Sequence, residues 1–201
     1  MKERRKGMLL VVSGPSGTGK GTLCERLLRS DPTIMFGVSA TTRKPREGEI
    51  DGVHYHFIDE ERFDKMLAEK AFLEHATVHG HRYGTPKDQV ERAIEEGRNI
   101  LLDIDPQGAL SVMSAMPETV SIFILPPSYS ALRERLHTRN TDDPDEILKR
   151  LSNAYGEVRL LKHYTYALVN DQLDQAFGML SAIIMAEKHR TTRYFPEIYE
   201  E

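Results

Sequence analysis

Residues 8–22 read MLLVVSGPSGTGKGT: an unbroken apolar run, a glycine-rich loop, and a lysine where a helix can begin. No other stretch limits the fold so narrowly. Five consecutive apolar residues, Met8 to Val12, suit a strand covered on both faces, as in a parallel sheet with helices on either side. The loop fits the pattern G-x-x-x-x-G-K through Gly14, Gly19 and Lys20. Glycines let the backbone fold tightly and aim its N–H groups at a phosphate. A helix starting near Gly19 adds its unpaired N–H groups and the positive end of its dipole. Lys20 supplies a mobile charge for the outer phosphates. The spacing of Gly14, Gly17 and Gly19 does not fit G-x-G-x-x-G, which excludes a dinucleotide fingerprint. One position departs from the pattern: Gly21 stands where Ser or Thr is expected, with Thr22 one step later.

The remaining apolar runs extend that first strand into a sheet. Phe36 to Ser39, Asn99 to Asp105, Val120 to Leu125 and Tyr166 to Asn170 supply four more core strands. Helical spacing places helices from the loop to about Ser30, where Asp31-Pro32 stops it, and over Asp59–Ala71, Pro86–Glu96, Tyr129–Arg139, Asp145 to about Lys162, and Asp174 to about His189. In the last of these, Met179 and Met185 are expected to fill core gaps. Val53 to Ile58 reads as a strand, and Phe72 to Tyr83 as a hairpin turning at Gly80. The small strands and helices of residues 39–91 interrupt the buried parallel strands, so they read as an inserted lobe. The tail, 191–201, has no pattern that assigns it a role.

Several groups carry candidate chemistry. Arg43, Lys44 and Arg46 crowd around Pro45 in a loop and fit either a solvated patch or a clamp for a small anion. Asp103 and Asp105 fall at the carboxyl end of a core strand, where open α/β sheets bind ligands. As strand residues they would face one way, either as solvated carboxylates capping the next helix or as a Mg2+ and substrate site. Arg133, Arg135, Arg139, Lys149, Arg150 and Arg159 make a basic helical hairpin, either a salt-bridged surface or a lid over transferring phosphates. The pairs His54/His56 and His79/His81 lack a clear third ligand for a closed metal site.

Composition narrows the partners. Lys+Arg number 27 against 31 Asp+Glu, a net charge of −4, whereas a chain that grips long nucleic acid usually carries a basic excess. The single cysteine, Cys24, allows no internal disulfide, reads as a packed small residue, and makes a reducing cytoplasm the default. No apolar run reaches membrane-spanning length, and the five apolar residues after the basic start are too few for a signal peptide.

Four motifs then coincide. GPSGTGK at 14–20, TTRKPREGE at 41–49, YGT at 83–85 and LLDIDPQG at 101–108 together resemble the guanylate kinases, over the chain to about residue 190. The resemblance implies an α/β phosphate-loop kinase core with a five-stranded parallel sheet flanked by helices, an inserted GMP-binding lobe and a helical lid. It divides a single domain of residues 1–201 into core (about 1–38, 92–128 and 160–201), lobe (about 39–91) and lid (about 129–159). It implies ATP-dependent phosphorylation of GMP, and of dGMP, in purine metabolism in the cytoplasm, with ATP as co-substrate and Mg2+ as the metal. Its partners would be those nucleotides, with no nucleic acid and no membrane.

Carried over by position, Ser39, Glu74, Thr85 and Asp105 resemble the residues that read guanine, and Arg43, Arg46, Tyr55 and Tyr83 the clamp on the GMP phosphate, with Asp103 beside them. Gly14, Pro15, Ser16, Gly17, Thr18, Gly19, Lys20, Gly21 and Thr22 would hold ATP, with Asn170 on the adenine side. Lys20, Arg43, Arg135, Arg139 and Arg150 would be catalytic. With no hydroxyl at Gly21, Mg2+ would be held by ATP oxygens and water, with Asp103 in its outer shell. Two other readings use the same motifs: an inactive guanylate-kinase-like module binding a phosphorylated peptide, and a related kinase of another phosphorylated small molecule, such as a ribose phosphate. The intact phosphate loop and lid arginines weigh against the first, and Glu74 and Ser39 against the second.

Overall fold

The computed structural model describes residues 4–78, 80–138 and 144–196. A two-residue strand, β1 (Arg4–Arg5), precedes β2 (Leu9–Ser13), whose five residues are all buried. The phosphate loop leads into α1 (Lys20–Ser30), then β3 (Ile34–Phe36), β4 (Ala40–Thr41) and β5 (His56–Phe57). Next come α2 (Glu60–Ala68), the hairpin β6 (Phe72–Val78) and β7 (His81–Pro86), and α3 (Lys87–Glu95). The chain continues through β8 (Asn99–Asp103), α4 (Pro106–Ala115), β9 (Val120–Leu125), α5 (Tyr129–Thr138) and α6 (Pro144–Val158). A 3-10 turn over Arg159–His163 leads to β10 (Tyr166–Val169), α7 (Leu173–Lys188) and β11 (Tyr194–Phe195).

Five strands form one parallel sheet in the order β10-β9-β2-β8-β3. Strand alternation explains why β2 is apolar throughout. Leu10 and Val12 face α1 and α7, meeting Leu23, Leu27, Ala176, Leu180 and Ile184. Leu9 and Val11 face the other way, against Val90 and Ala93 of α3 and Ala109 and Val112 of α4. Each such side chain contributes roughly 1.5–3 kcal/mol on burial, so a polar substitution on either face would be costly. Because β2 is central, the loop at its carboxyl end sits over the middle of the sheet. Cys24 is buried in the α1 layer, as a packed small residue.

A second sheet, ordered β5-β4-β7-β6, stands apart from the first. Gly80, at φ 78°, turns its hairpin. Phe63 of α2 packs on Phe72 at 4.6 Å between ring centroids, and α4 docks on β6. The helix α3 follows this sheet but packs into the main core through Val90 and Ala93. At the far side, α5 and α6 close on Leu132, Leu136, Ile147, Leu151 and Ala154, with Tyr129 stacked on Tyr155 at 4.0 Å.

Several expectations shift. The second core strand is Ile34–Phe36 rather than Phe36–Ser39, because Gly37 leaves the strand while its N–H still bonds Leu101. Only His56 and Phe57 of the segment from Val53 to Ile58 are extended, since Gly52 at φ 73° and the bonds of Val53 and His54 to the Ile50 carbonyl wind the rest into a turn. The helix expected to reach Lys162 tightens into the 3-10 turn after Val158. Met179 and Met185 are 47% and 58% exposed, so they are not core filler; α7 buries Ala176, Leu180 and Ile184 instead. The tail pairs as well: β11 runs antiparallel to β1, and Arg193 joins Glu187, which also accepts from Tyr166 Oη at 2.6 Å.

Candidate active site

The phosphate loop is held by its own backbone and two struts. Gly14 takes φ 134°, and a Cβ there would lie 2.2 Å from the Ile124 carbonyl oxygen, so only glycine lets the loop cross β9. Gly19, at φ 85°, caps α1; a Cβ would fall 2.4 Å from Asn170 Nδ2. That amide donates to the Thr18 carbonyl at 2.8 Å, and Thr18 Oγ1 to the Pro15 carbonyl at 2.9 Å. Among the described residues no side chain caps α1, so its first N–H groups face the loop without a side-chain partner. Lys20 Nζ donates to the Gly14 carbonyl at 2.8 Å, which lays the ammonium across the loop. At Gly21 nothing lies within 4 Å of a built Cβ, so packing does not enforce the missing hydroxyl.

On one side of this loop is a cavity of about 380 Å3 lined by Ser16, Lys20, Ser39, Tyr55, Glu74, Tyr83, Asp103, Ile104 and Asp105. The phosphate loop, β8 and the second sheet meet there. Glu74 is 6% exposed, and its Oε1 accepts from Thr85 Oγ1 at 2.7 Å. Burial pushes the Glu74 carboxyl above its ordinary value, and the charge of Asp105 pushes it further. Thr85 is fully buried behind Glu74 and does not line the cavity. Burial also raises Asp103, while Lys20 pulls it back. Asp105 is not a strand residue as expected: β8 ends at Asp103, and Asp105 caps α4 by accepting from Gln107 N at 2.8 Å and Gly108 N at 3.2 Å.

Tyr55 and Tyr83 meet edge to face at 5.9 Å on the cavity wall. Behind them lies Arg43, held by both oxygens of Glu49 at 2.8 and 2.9 Å and by Tyr83 Oη at 3.3 Å. Arg46 is exposed; its backbone N–H donates to Glu49 at 2.7 Å. Sequence reasoning named neither Glu49 nor Glu157. The first lies within the quoted TTRKPREGE motif. The second, half-buried on α6, is raised by burial, with Lys20 lowering and Asp105 raising it, and its apolar-patterned helix gave no signal.

A second cavity of about 530 Å3 opens on the other side of the loop, lined by Gly17, Gly19, Thr22, Glu134, Arg135, Thr138, Asn170, Asp171 and Leu173. Arg135 Nη2 donates to the Asn170 carbonyl at 2.9 Å and the Asp171 carbonyl at 3.4 Å. Arg150 Nη1 lies 3.5 Å from Ser16 Oγ, linking α6 to the loop. Arg139 falls outside the described residues, as does His79. Among the described residues no group of three or more His, Cys, Asp or Glu could hold a metal ion, and none of the helices is long and apolar enough to cross a membrane. The residues nonetheless fit Mg2+, which keeps several waters and takes one or two carboxylates plus phosphate oxygens. Asp103, which lines the first cavity with Lys20, is a carboxylate that would suit that role.

Comparison with known proteins bears on this geometry. The sequence model of the guanylate kinase family matches residues 6–187. The chain is 46% identical to a guanylate kinase of Clostridium perfringens over 198 residues, covering 98% of this chain and 92% of that one. It is 49% identical to a guanylate kinase of Carboxydothermus hydrogenoformans over 188 residues, 94% and 92% of the two chains. The crystal structure of guanylate kinase from Anaplasma phagocytophilum superposes with a TM-score of 0.79 at 34% identity, covering 96% of this chain and 92% of that one.

Proposed function

This chain belongs to the guanylate kinase family, and we propose that it transfers the γ-phosphoryl group of ATP to the phosphate of GMP or dGMP, giving ADP and the guanosine diphosphate, in the cytoplasm. One observation carries the reading most: a single 380 Å3 cavity has the buried carboxylate Glu74 in its wall and Lys20 of the phosphate loop beside it. A carboxylate can accept from both N1–H and the 2-amino group of guanine, and adenine offers no such donor pair. Using a different base would leave Glu74 unpaired, which is how such a site discriminates. Ser39 and Asp105 complete the base site, Thr85 serves it from behind by donating to Glu74, and Arg43, Arg46, Tyr55 and Tyr83 hold the acceptor phosphate.

ATP lies on residues 14–22, with its base toward Asn170 and Arg135 in the larger cavity. The transfer is in line: a GMP phosphate oxygen bonds the γ-phosphorus as the bond to the β,γ-bridging oxygen breaks. The acceptor is already an anion near neutral pH, so no strong general base is required. Catalysis rests on alignment and on charge stabilisation by Lys20, Arg43, Arg135, Arg139 and Arg150. Mg2+, when bound, neutralises phosphate charge, and Asp103 would hold it through water. The segment 39–91 acts as acceptor lobe and 129–159 as lid; their closure over the core excludes water.

A coupled assay of ADP release tests this with GMP, dGMP, AMP, UMP and ribose phosphates as acceptors. Turnover on the guanine nucleotides alone is expected. A preferred ribose phosphate, or GMP binding without turnover, would overturn it.

A further inference from the structure

We propose that Glu49 is the positioning residue of the acceptor-phosphate clamp: it fixes the guanidinium of Arg43 before substrate arrives and leaves it one N–H for the phosphate. The inference rests on the GMP reading above and assigns a role to a residue that reading does not use.

A donor inventory carries it. A guanidinium has five N–H groups in a rigid plane. Arg43 Nη1 donates to Glu49 Oε2 at 2.9 Å and to the Lys44 carbonyl at 2.8 Å. Nη2 donates to Glu49 Oε1 at 2.8 Å, and Nε to Tyr83 Oη at 3.3 Å. Among the described residues, four of the five are therefore engaged, and one N–H on Nη2 remains. The plane is also backed by aromatic rings, with its central carbon 5.4 Å from the Tyr55 centroid and 5.8 Å from that of Phe57. The Arg43 and Glu49 side chains are only 10% and 19% exposed, so this pair is not a loose surface contact.

The same carboxylate sets the backbone of the second clamp cation. Glu49 Oε2 accepts from Arg46 N at 2.7 Å, and Glu49 N donates to the Arg46 carbonyl at 3.0 Å. One residue thus closes the turn that carries both arginines. These bonds hold the Glu49 carboxyl down to about 2, so it stays charged at any working pH.

Two consequences follow for binding. The rotamer freedom of Arg43 is already lost, so the phosphate does not bear that cost. Arg43, Arg46 and Glu49 together carry a net charge of +1, so the clamp is a weak attractor for a bare anion. It grips a phosphate delivered by a base docked on Glu74.

The test is Glu49→Gln, with calorimetric binding of GMP and of guanosine, and steady-state kinetics. Glutamine keeps one acceptor but turns an amide donor toward the Arg43 fork. GMP affinity should fall on the order of 10- to 100-fold. The KM for GMP should rise in parallel, and kcat should fall as well, because Arg43 is also among the groups proposed to stabilise the transferring charge. Guanosine, which lacks the phosphate, should bind as to the wild type and reports an intact base pocket. In an Arg43→Gln background, Glu49→Gln should cost GMP affinity no more than about twofold further, because the two residues act as one.

Unchanged or tighter GMP binding in Glu49→Gln would overturn the inference, the second by making Glu49 a competitor for Arg43. Full additivity in the double variant, or an equal loss of guanosine, would overturn it too. If the wild type bound GMP no better than guanosine, the phosphate clamp of the proposed function would itself fail, and this inference with it.

Discussion

Replacing Glu74 by Gln should push stability and substrate use in opposite directions. Thr85 Oγ1 donates to Glu74 Oε1 at 2.7 Å inside the protein, so a glutamine keeps its carbonyl there and its amide takes the place of Oε2. A donor then faces the N–H groups of guanine. Two hydrogen bonds to a charged acceptor are lost, worth about 3–6 kcal/mol together, or on the order of 10²- to 10⁴-fold in kcat/KM for GMP. The KM for ATP should stay within about threefold, because the cavity proposed for it lies across the phosphate loop. Stability should move the other way. Burial, with Asp105 adding to it, raises the Glu74 carboxyl in the folded state, so the folded protein holds that proton more tightly than the unfolded chain. Its contribution to stability therefore falls as pH rises from the ordinary carboxylate value to the raised one, and stays low above it. The substrate-free variant should be at least as stable as the wild type at pH 7.5, and its stability should lose that fall. Coupled assays with each nucleotide varied, and urea titrations at pH 5 and 7.5, read both effects. Equal losses on GMP and ATP, or a variant less stable than the wild type at pH 7.5, would refute the reasoning.

Two further expectations use other parts of the molecule. Lys20→Ala should lower kcat on the order of 10²-fold or more while leaving GMP binding near normal, if its ammonium meets the charge of the transferring phosphoryl group; near-normal turnover would contradict that role. Glu187 is 3% exposed and paired with Arg193; burial opposes its charge, but Tyr166, Arg193 and Arg190 more than offset this and hold its carboxyl below the ordinary 4.5. That contribution is present above pH 4.5 and is lost as pH falls through the lowered folded value. Arg193→Met should cost about 3 kcal/mol by leaving a buried carboxylate short of its partner, lower Tm by roughly 6–12 °C, and move acid unfolding to higher pH. A thermal melt series from pH 3 to 8 checks it.

The phosphate loop was legible because its chemistry is local. Gly14 and Gly19 take positive-φ backbone angles that favour glycine, and Lys20 must open a helix, so spacing alone marks the unit. The three inner strands of the parallel sheet, β2, β8 and β9, were legible for a related reason: covering both faces demands continuous apolar runs, which survive in the sequence as such. Boundaries were less so. A residue such as Ser39 or Val53 can extend or turn with little difference in local energy, and long-range pairing decides. The exposed Met179 and Met185 show the same limit, since an apolar face looks alike whether or not something covers it.

What only the tertiary structure decided was which polar groups hold one another. Asp103 and Asp105 look like a matched strand pair, but β8 ends between them and gives Asp105 to a helix cap. The lone Glu49 gains meaning only when Arg43 folds onto it, and Asn170 only when β10 brings it under Thr18, 152 positions away. The pairing of Arg193 with Glu187 and of β11 with β1 is likewise invisible in a short polar tail. Sequence records what each residue can do alone or with its near neighbours. Partners distant along the chain are chosen by the packing of the sheet, because only there do the costs of burying a charge and of leaving it unpaired become comparable.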